Sequence, residues 1–282
     1  MFATATLAKR IERAEAGLIL EGARAAARRV PADRLMIVEE SGGVGVFVEP
    51  GSPFNKVAGL GFAGVPSSEF FDTLERGFAD RQVPLQFEVS SLGDPGVVGT
   101  LTRRGYHLVG FENVLALRID ARMAHSVTEV PGEVTVAPAS IAESSTWIDT
   151  VATGFLHPDV FDAPPSHESI SRDVLDRIFG DTVAAPGFER FLARRGDVVA
   201  GGASLRMQDG VAQLNGAATL PAHRRQGVQT ALLRYRLAEA ARRGCDVGVV
   251  TTQPGSKSQE NVQRAGFTLL YVRAVLVKDP SP

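Results

Sequence analysis

An α/β architecture built twice over is what this sequence predicts, and three observations point to it. Segments with apolar residues at helical spacing alternate with short apolar or alternating runs, the order of a sheet flanked by helices. The second half of the chain can be laid on the first at a constant offset of 161, which puts Ser91 over Thr252, Gly105 over Gly266, Phe71 over Leu232 and Pro84 over Cys245. The 282 residues are 44% hydrophobic and 22% charged, near globular averages, which excludes a disordered or low-complexity chain. The offset argues for an internal duplication, although two α/β segments of similar length also align loosely by chance.

Each element has a local reason. Residues 5–29 are rich in Ala, Leu, Arg and Glu with apolar residues at helical spacing, and Pro31 stops that helix. Strands are expected at 35–38 and 44–48 around the turn Ser41-Gly42-Gly43, and another at 57–62. In the helix 67–81, Phe70, Phe71, Leu74 and Phe78 form one stripe behind a serine cap. A strand at 85–89, a short helix at 95–104 and an extended run at 106–119 complete the first half, and Pro131-Gly132 marks a linker near 121–133. The second half opens with a helix at 140–155 around Trp147 and Val151, then a Pro-rich loop and a helix at 169–179. Strands follow at 189–194, 198–206 and 211–220, separated by Arg195-Gly196-Asp197 and Asp209-Gly210. A long Ala/Leu/Arg helix at 227–243, a strand at 246–252, a helix at 258–265 and a strand at 267–278 end the chain.

Charge and cysteine usage narrow the function. Thirty Lys+Arg face thirty-two Asp+Glu for a net charge of -2, so neither nucleic acid nor a membrane surface is an expected partner. Cys245 stands alone, which excludes an internal disulfide and a cysteine-based zinc site, and it is expected to be a small buried residue. No metal is implied. Charges at positions 9, 10, 12 and 13 interrupt the start, so a cytoplasmic rather than secreted chain is expected.

The segment from Thr219 to Leu233 carries the chemistry. A strand runs to Pro221, crosses the basic turn His223-Arg224-Arg225-Gln226-Gly227 and enters a strong helix at Val228-Gln229-Thr230. The free N–H groups of a first helical turn, the helix dipole and two arginines make an anion site suited to a pyrophosphate. Gly227 lets phosphates approach the backbone closely. An ordinary strand-to-helix turn with solvated arginines would read the same way from Arg-x-x-Gly alone.

With its flanks, this segment resembles the GCN5-related N-acetyltransferase (GNAT) superfamily, whose pyrophosphate loop reads Arg/Gln-x-x-Gly-x-Gly/Ala. Arg224, Gly227 and Gln229 fall on its three defined positions, Thr219-Leu220-Pro221 on the preceding strand end, and Gly266-Phe267 on the Gly-Phe that follows the next strand and helix. The resemblance covers about residues 134–278 and implies a mixed, mostly antiparallel twisted sheet flanked by helices. It also implies acetyl-CoA as co-substrate. Backbone groups near Thr219 and Leu220 would pair with the pantetheine, and the N–H groups of Arg225, Gln226, Gly227, Val228, Gln229 and Thr230 would hold the pyrophosphate beside Arg224. A small-molecule or peptide amine would then attack the thioester directly.

Two departures stand out. Gln229 replaces the small residue of the motif, and the family's usual tyrosine is Val262, with Asn261 before it as a possible CoA contact. The proton-transfer candidates are therefore Tyr271 on the last strand, expected alongside the cofactor cleft as thiolate donor, and His157 in the loop 155–168 as base, with Asp159, Asp162 and His167 nearby. Asn215 can orient a water, and His223 is expected to touch CoA or solvent. At the common offset the first half presents Ala63-Gly64-Val65-Pro66-Ser67-Ser68, with no arginine and one N–H lost to proline. Residues 1–125 thus read as a degenerate GNAT-like domain and 134–282 as the acetyl-CoA-binding one. Asn55-Lys56 reads as a turn with an exposed lysine, or as a substrate contact. A non-catalytic acyl-CoA-binding or scaffolding protein, and a transferase of longer acyl groups, are the competing functions.

Overall fold

The computed structural model describes residues 1–125, 134–159 and 170–280. Helix α1 (Ala5–Ala26) leads into the hairpin β1 (Met36–Glu40) and β2 (Gly43–Phe47), the short β3 (Lys56–Ala58), α2 (Ser68–Ala79), β4 (Leu85–Ser90), α3 (Pro95–Arg103) and β5 (His107–Arg118). Next come β6 (Val134–Pro138), α4 (Ser144–Leu156), α5 (Arg172–Ala184), β7 (Phe188–Arg195) and β8 (Val198–Gln208). The chain ends with β9 (Val211–Gln213), β10 (Ala218–Thr219), α6 (Val228–Arg242), β11 (Val247–Thr252), α7 (Lys257–Arg264) and β12 (Thr268–Lys278). His167 and Asp162 lie outside the described residues.

Most helices start on a side-chain cap. Thr4, Ser67, Asp94, Ser171 and Ser256 each accept an N–H from their own first turn, which satisfies a donor the helix itself cannot. Helix α6 is different: Gly227 caps it at φ +82° with no side-chain acceptor.

All the strands among the described residues join one twelve-stranded sheet in the order β1-β2-β3-β4-β12-β5-β11-β9-β8-β7-β6, with β10 added beside β8. Pairing is antiparallel except at β3–β4 and β9–β11, one parallel step in each half. The last strands of the halves are exchanged. β12 lies between β4 and β5, with Ala274 opposite both Val89 and Phe111. β5 in turn pairs with β11, from Val247 opposite Arg118 to Thr252 opposite Asn113. The two halves are therefore continuous through the middle of the sheet.

The two faces separate the cores. On one face α6 packs on Leu115, Leu205 and Leu214, while the stripe Phe70, Phe71, Leu74 and Phe78 of α2 covers Phe87 and Val89. On the other, α1 lies over Val114, Ala116, Val249 and Tyr271, and α4 buries Trp147, whose Nε1 donates to Ala203 O at 3.1 Å. At full burial of about 25 cal/mol per Å² of apolar surface, such aromatic residues supply much of the drive for folding.

The structure departs from the sequence reading at three elements. β6 follows the linker expected near 121–133, in a stretch where no element is expected, pairing Val134 with Arg195. The expected strand 57–62 shortens to Lys56–Ala58, because Gly59 and Gly61 adopt φ +85° and +93°. The expected strand 211–220 breaks in two around Gly216, at φ +53°. No helix among the described residues is long and apolar enough to cross a membrane.

Candidate acyl-CoA site

The break at Gly216 opens the sheet. β9 and β11 stay parallel only as far as Gln213 opposite Val249, and the final bond runs from Leu214 N to Val249 O at 3.0 Å. Beyond it the chain leaves β11 and stays beside β8, with Ala218 opposite Gly202, Thr219 opposite Gly201 and Leu220 N donating to Ala200 O at 3.0 Å. β11 continues through Val250, Thr251 and Thr252, paired only to β5. The result is a splay with Asn215–Leu220 on one wall and the end of β11 on the other. Gly201 permits the close approach of β10 and α6, since a Cβ there would lie 2.7 Å from Ala218 O and 2.8 Å from Val228 Cγ1.

Arg236, fully buried on α6, pins the break from below. Its Nη1 donates to Ser204 O at 2.9 Å and to Asn215 O at 3.2 Å, and its Nε to Leu232 O at 3.1 Å. Burial without a carboxylate lowers this guanidinium to about 9. An arginine in a helix reads from sequence as a solvated charge, so nothing local marked it.

Buried polar atoms without hydrogen-bond partners among the described residues collect at the splay: Asn215 Nδ2 and Thr219 Oγ1 on one wall, Thr252 Oγ1 on the other and His223 Nδ1 in the turn. Such groups cost about 1–3 kcal/mol each when left unpaired, so their clustering marks a place built to receive a polar ligand. Asn261 on α7 is half-buried, and Val262 beside it is a core residue against α6 and Phe267.

The turn before α6 is a second polar feature. After one 3-10 turn at Pro221–His223, Arg225 adopts φ +60° and Gly227 φ +82°. Among the described residues, no hydrogen bond engages the N–H of Arg225, Gln226, Gly227, Val228, Gln229 or Thr230; the first N–H of the helix to find an acceptor is Ala231, bonded to Gly227 O at 2.9 Å. Six bare donors and a helix dipole face outward there, and Arg225 is exposed with no ion pair among the described residues. Gln226 folds back, its Nε2 donating to Ala222 O at 3.2 Å.

Three expectations need correction. Arg224, expected on the pyrophosphate, directs its guanidinium to the end of α4, donating to His157 O and pairing with Asp159 at 3.2 Å. Tyr271 does not lie alongside the cleft. β5 separates its strand from β11, and its hydroxyl is buried, donating to Glu12 Oε1 at 2.7 Å. Burial and the Glu12 charge raise that phenol far above its ordinary range, so it holds its proton. Lys56 is not an exposed turn lysine, because its Nζ meets Glu88 at 2.7 Å; Asn55 braces the same loop by accepting from Val48 N at 2.8 Å and donating to Glu49 O at 2.7 Å. His157 is exposed at the end of α4. Cys245 is buried as expected, and burial raises its thiol.

The equivalent position in the first half is closed. The Glu40 carboxylate accepts from Ser67 N at 2.6 Å and Ser67 Oγ at 2.9 Å, placing an internal anion at the start of α2. Past the ends of β3 and β4, Asp94 N donates to Gly61 O at 2.8 Å, while the buried Leu60 turns into the core with its side chain beside Gly43 of β2.

Residues 156–267, which span the splay, the turn and α6, match the acetyltransferase (GNAT) family. This stretch is a GNAT domain. The whole chain has the GNAT fold. It superposes with a TM-score of 0.63 on a GCN5-related N-acetyltransferase from Kribbella flavida, at 20% identity over 95% of this chain and 96% of that one. A tandem GNAT protein from the clavulanic acid biosynthesis pathway gives 0.62 at 14% identity, over 93% and 88% of the two chains. A GCN5-related N-acetyltransferase from Sphaerobacter thermophilus gives 0.55 at 18% identity, over 76% and 68%. No curated protein matches the chain in sequence.

Proposed function

We propose that the GNAT domain binds acetyl-CoA in the splay between β10 and β11 and transfers its acetyl group to an amine. One observation carries the reading: the splay leads into the start of α6, which has no side-chain cap, so a groove with unpaired backbone edges ends on six N–H donors without partners among the described residues and on the Arg225 cation. A pantetheine has amides to pair with such edges, and a pyrophosphate has the charge and oxygens that such donors want. Asn215, Thr219 and Thr252 carry the unpartnered polar atoms that face this groove's walls, and Asn261 stands on the neighbouring helix. The thioester is the activated acyl donor, and the chain's part is to orient it and exclude competing water.

In this reading residues 1–125 are a degenerate GNAT-like domain, because Glu40 occupies the place where phosphate would lie and the Asp94 N–Gly61 O bond ties the chain after β3 to the chain after β4. Residues 134–282 are the acetyl-CoA-binding domain. A second reading, acyl-CoA binding without transfer, is favoured by Val262 being a core residue and Tyr271 being locked to Glu12. Gly227→Glu tests the site itself, since it puts side-chain volume and negative charge where the pyrophosphate would lie at a backbone with φ +82°. Calorimetry should show acetyl-CoA binding abolished; undiminished affinity would rule out this site. Free-thiol release with a panel of amines then separates transfer from binding alone.

A further inference from the structure

Under α1 the sheet carries a row of charged side chains that acyl-CoA binding does not explain. Arg273 on β12, wholly enclosed, is its hub: Nε donates to Glu12 at 2.9 Å, Nη1 to Glu112 at 3.3 Å, and Nη2 lies 3.5 Å from Glu15. Glu88 on β4 stands 4.0 Å from the same Nη1 and pairs with Lys56 at 2.7 Å. Four carboxylates therefore share two cations. Among the described residues, one oxygen on each of Glu12 and Glu88 has no hydrogen-bond partner, although both side chains are only 1% exposed.

Glu112 differs from the rest in position and in access. Its side chain is 28% exposed. It sits on β5 in phase with Val114 and Ala116, one residue beyond the pair Asn113–Thr252 that ends the ladder with β11. The Arg273 Nη1 that binds Glu112 also lies 3.5 Å from Thr251 Oγ1, on the strand that walls the splay. Adjacent strands are about 4.8 Å apart, so this carboxylate stands one strand from the gap, on the face opposite α6. The exchange of β5 and β12 put it there; without it, residues 134–280 would have no carboxylate at this position.

We propose that Glu112, delivered by the first half of the chain, takes the proton from the acceptor's ammonium group and so selects a cationic amine. The inference rests on the acyl-transfer reading above. The Glu112 carboxylate removes one proton from R–NH3+, and the freed lone pair forms the C–N bond at the thioester carbonyl. As the C–S bond breaks, the departing thiolate receives the second proton lost from nitrogen, giving the amide and a free thiol; Glu112 returns its proton to water. The charge balance suits the task. Burial first, then Glu88, raise this carboxyl to about 7 against the opposing pull of Lys56 and Arg273, with Glu15 adding to the rise and Glu12 held by Arg273 and Tyr271. A base that exchanges protons near neutral pH is the efficient one.

Glu112→Gln tests this, with thiol release followed for putrescine, an aminoglycoside and a lysyl peptide, using whichever the wild-type chain acetylates fastest. We expect kcat/KM to fall about 10²-fold or more, the acidic limb of its pH profile to vanish, and acetyl-CoA affinity by calorimetry to stay within about twofold. Glu112→Asp, which keeps the charge but shortens its reach, should retain the limb at a reduced rate. Wild-type turnover or an unchanged limb in Glu112→Gln overturns the proposal. If that variant loses acetyl-CoA binding or melts early, Glu112→Asp decides, and wild-type turnover there overturns it. A wild-type chain that binds acetyl-CoA but acetylates none of the three amines removes the acyl-transfer reading, and this one with it.

Discussion

The Tyr271 hydroxyl donates to the Glu12 carboxylate at 2.7 Å across a sequence separation of 259 residues, joining the last strand to the first helix. Glu12 in turn accepts from Arg273, so the contact belongs to the buried network that fastens α1 over the exchanged strands. Removing the hydroxyl leaves a buried carboxylate short of a donor. Hydrogen bonds to charged groups contribute about 1.5–3 kcal/mol. Tyr271→Phe should therefore lower the melting temperature by several degrees while acetyl-CoA affinity stays unchanged. Thermal unfolding and calorimetry on the same preparation check both, and an unchanged melting temperature would remove the network role.

Arg225 and Arg224 should behave differently despite being neighbours. Arg225 is exposed beside the bare N–H groups, whereas Arg224 is engaged by His157 O and Asp159. Arg225→Ala should weaken acetyl-CoA binding about tenfold, roughly 1.4 kcal/mol, and the loss should shrink at high salt because exposed charges are screened. Arg224→Ala should change it less than about threefold. The reverse order of effects would mean the Arg224 pairing gives way to ligand.

Stoichiometry should be one acetyl-CoA per chain. Glu40 already supplies a carboxylate to Ser67 at the start of α2, and a second anion there would meet like charge. Calorimetric titration measures the number directly. A value of two would show that the first half also binds.

Stability should fall as pH rises through neutrality. Glu112 is raised from 4.5 to about 7, and Glu12 is raised in the same direction by burial. A carboxyl that holds its proton more tightly when folded contributes stability below its unfolded value, and that contribution is lost as pH rises through the folded one. Between about pH 5 and 8 the wild-type melting temperature should drop relative to Glu112→Gln, in which one of these groups cannot ionise. Parallel curves for the two proteins would remove Glu112 as a titrating group in this range.

Local pattern determined much of this protein. The stripe Phe70, Phe71, Leu74 and Phe78, the cap at Ser67 and the turn around Gly227 were legible because each depends on neighbours a few residues away. The bare donors of α6 follow from the same cause: a glycine cap supplies no side-chain acceptor. Tertiary structure decided what those elements meet. Nothing in the run 267–278 states that it will lie between β4 and β5, since strand partners are chosen by pairing over long separations and not by the strand's own alternation. That choice moved Tyr271 away from the cleft and brought Glu112 toward it. The roles of Arg224 and Arg225 divided for the same reason: a carbonyl 67 residues away captured one arginine and left its neighbour in solvent. Arg236 and Arg273 read as ordinary surface charges until the fold enclosed them, and in burial a charge must find partners. The sequence alone determined most of the helices and strands and the bare turn before α6; the exchange of β5 and β12 decided which charged groups lie near the cleft, because burial and pairing are properties of the assembled sheet.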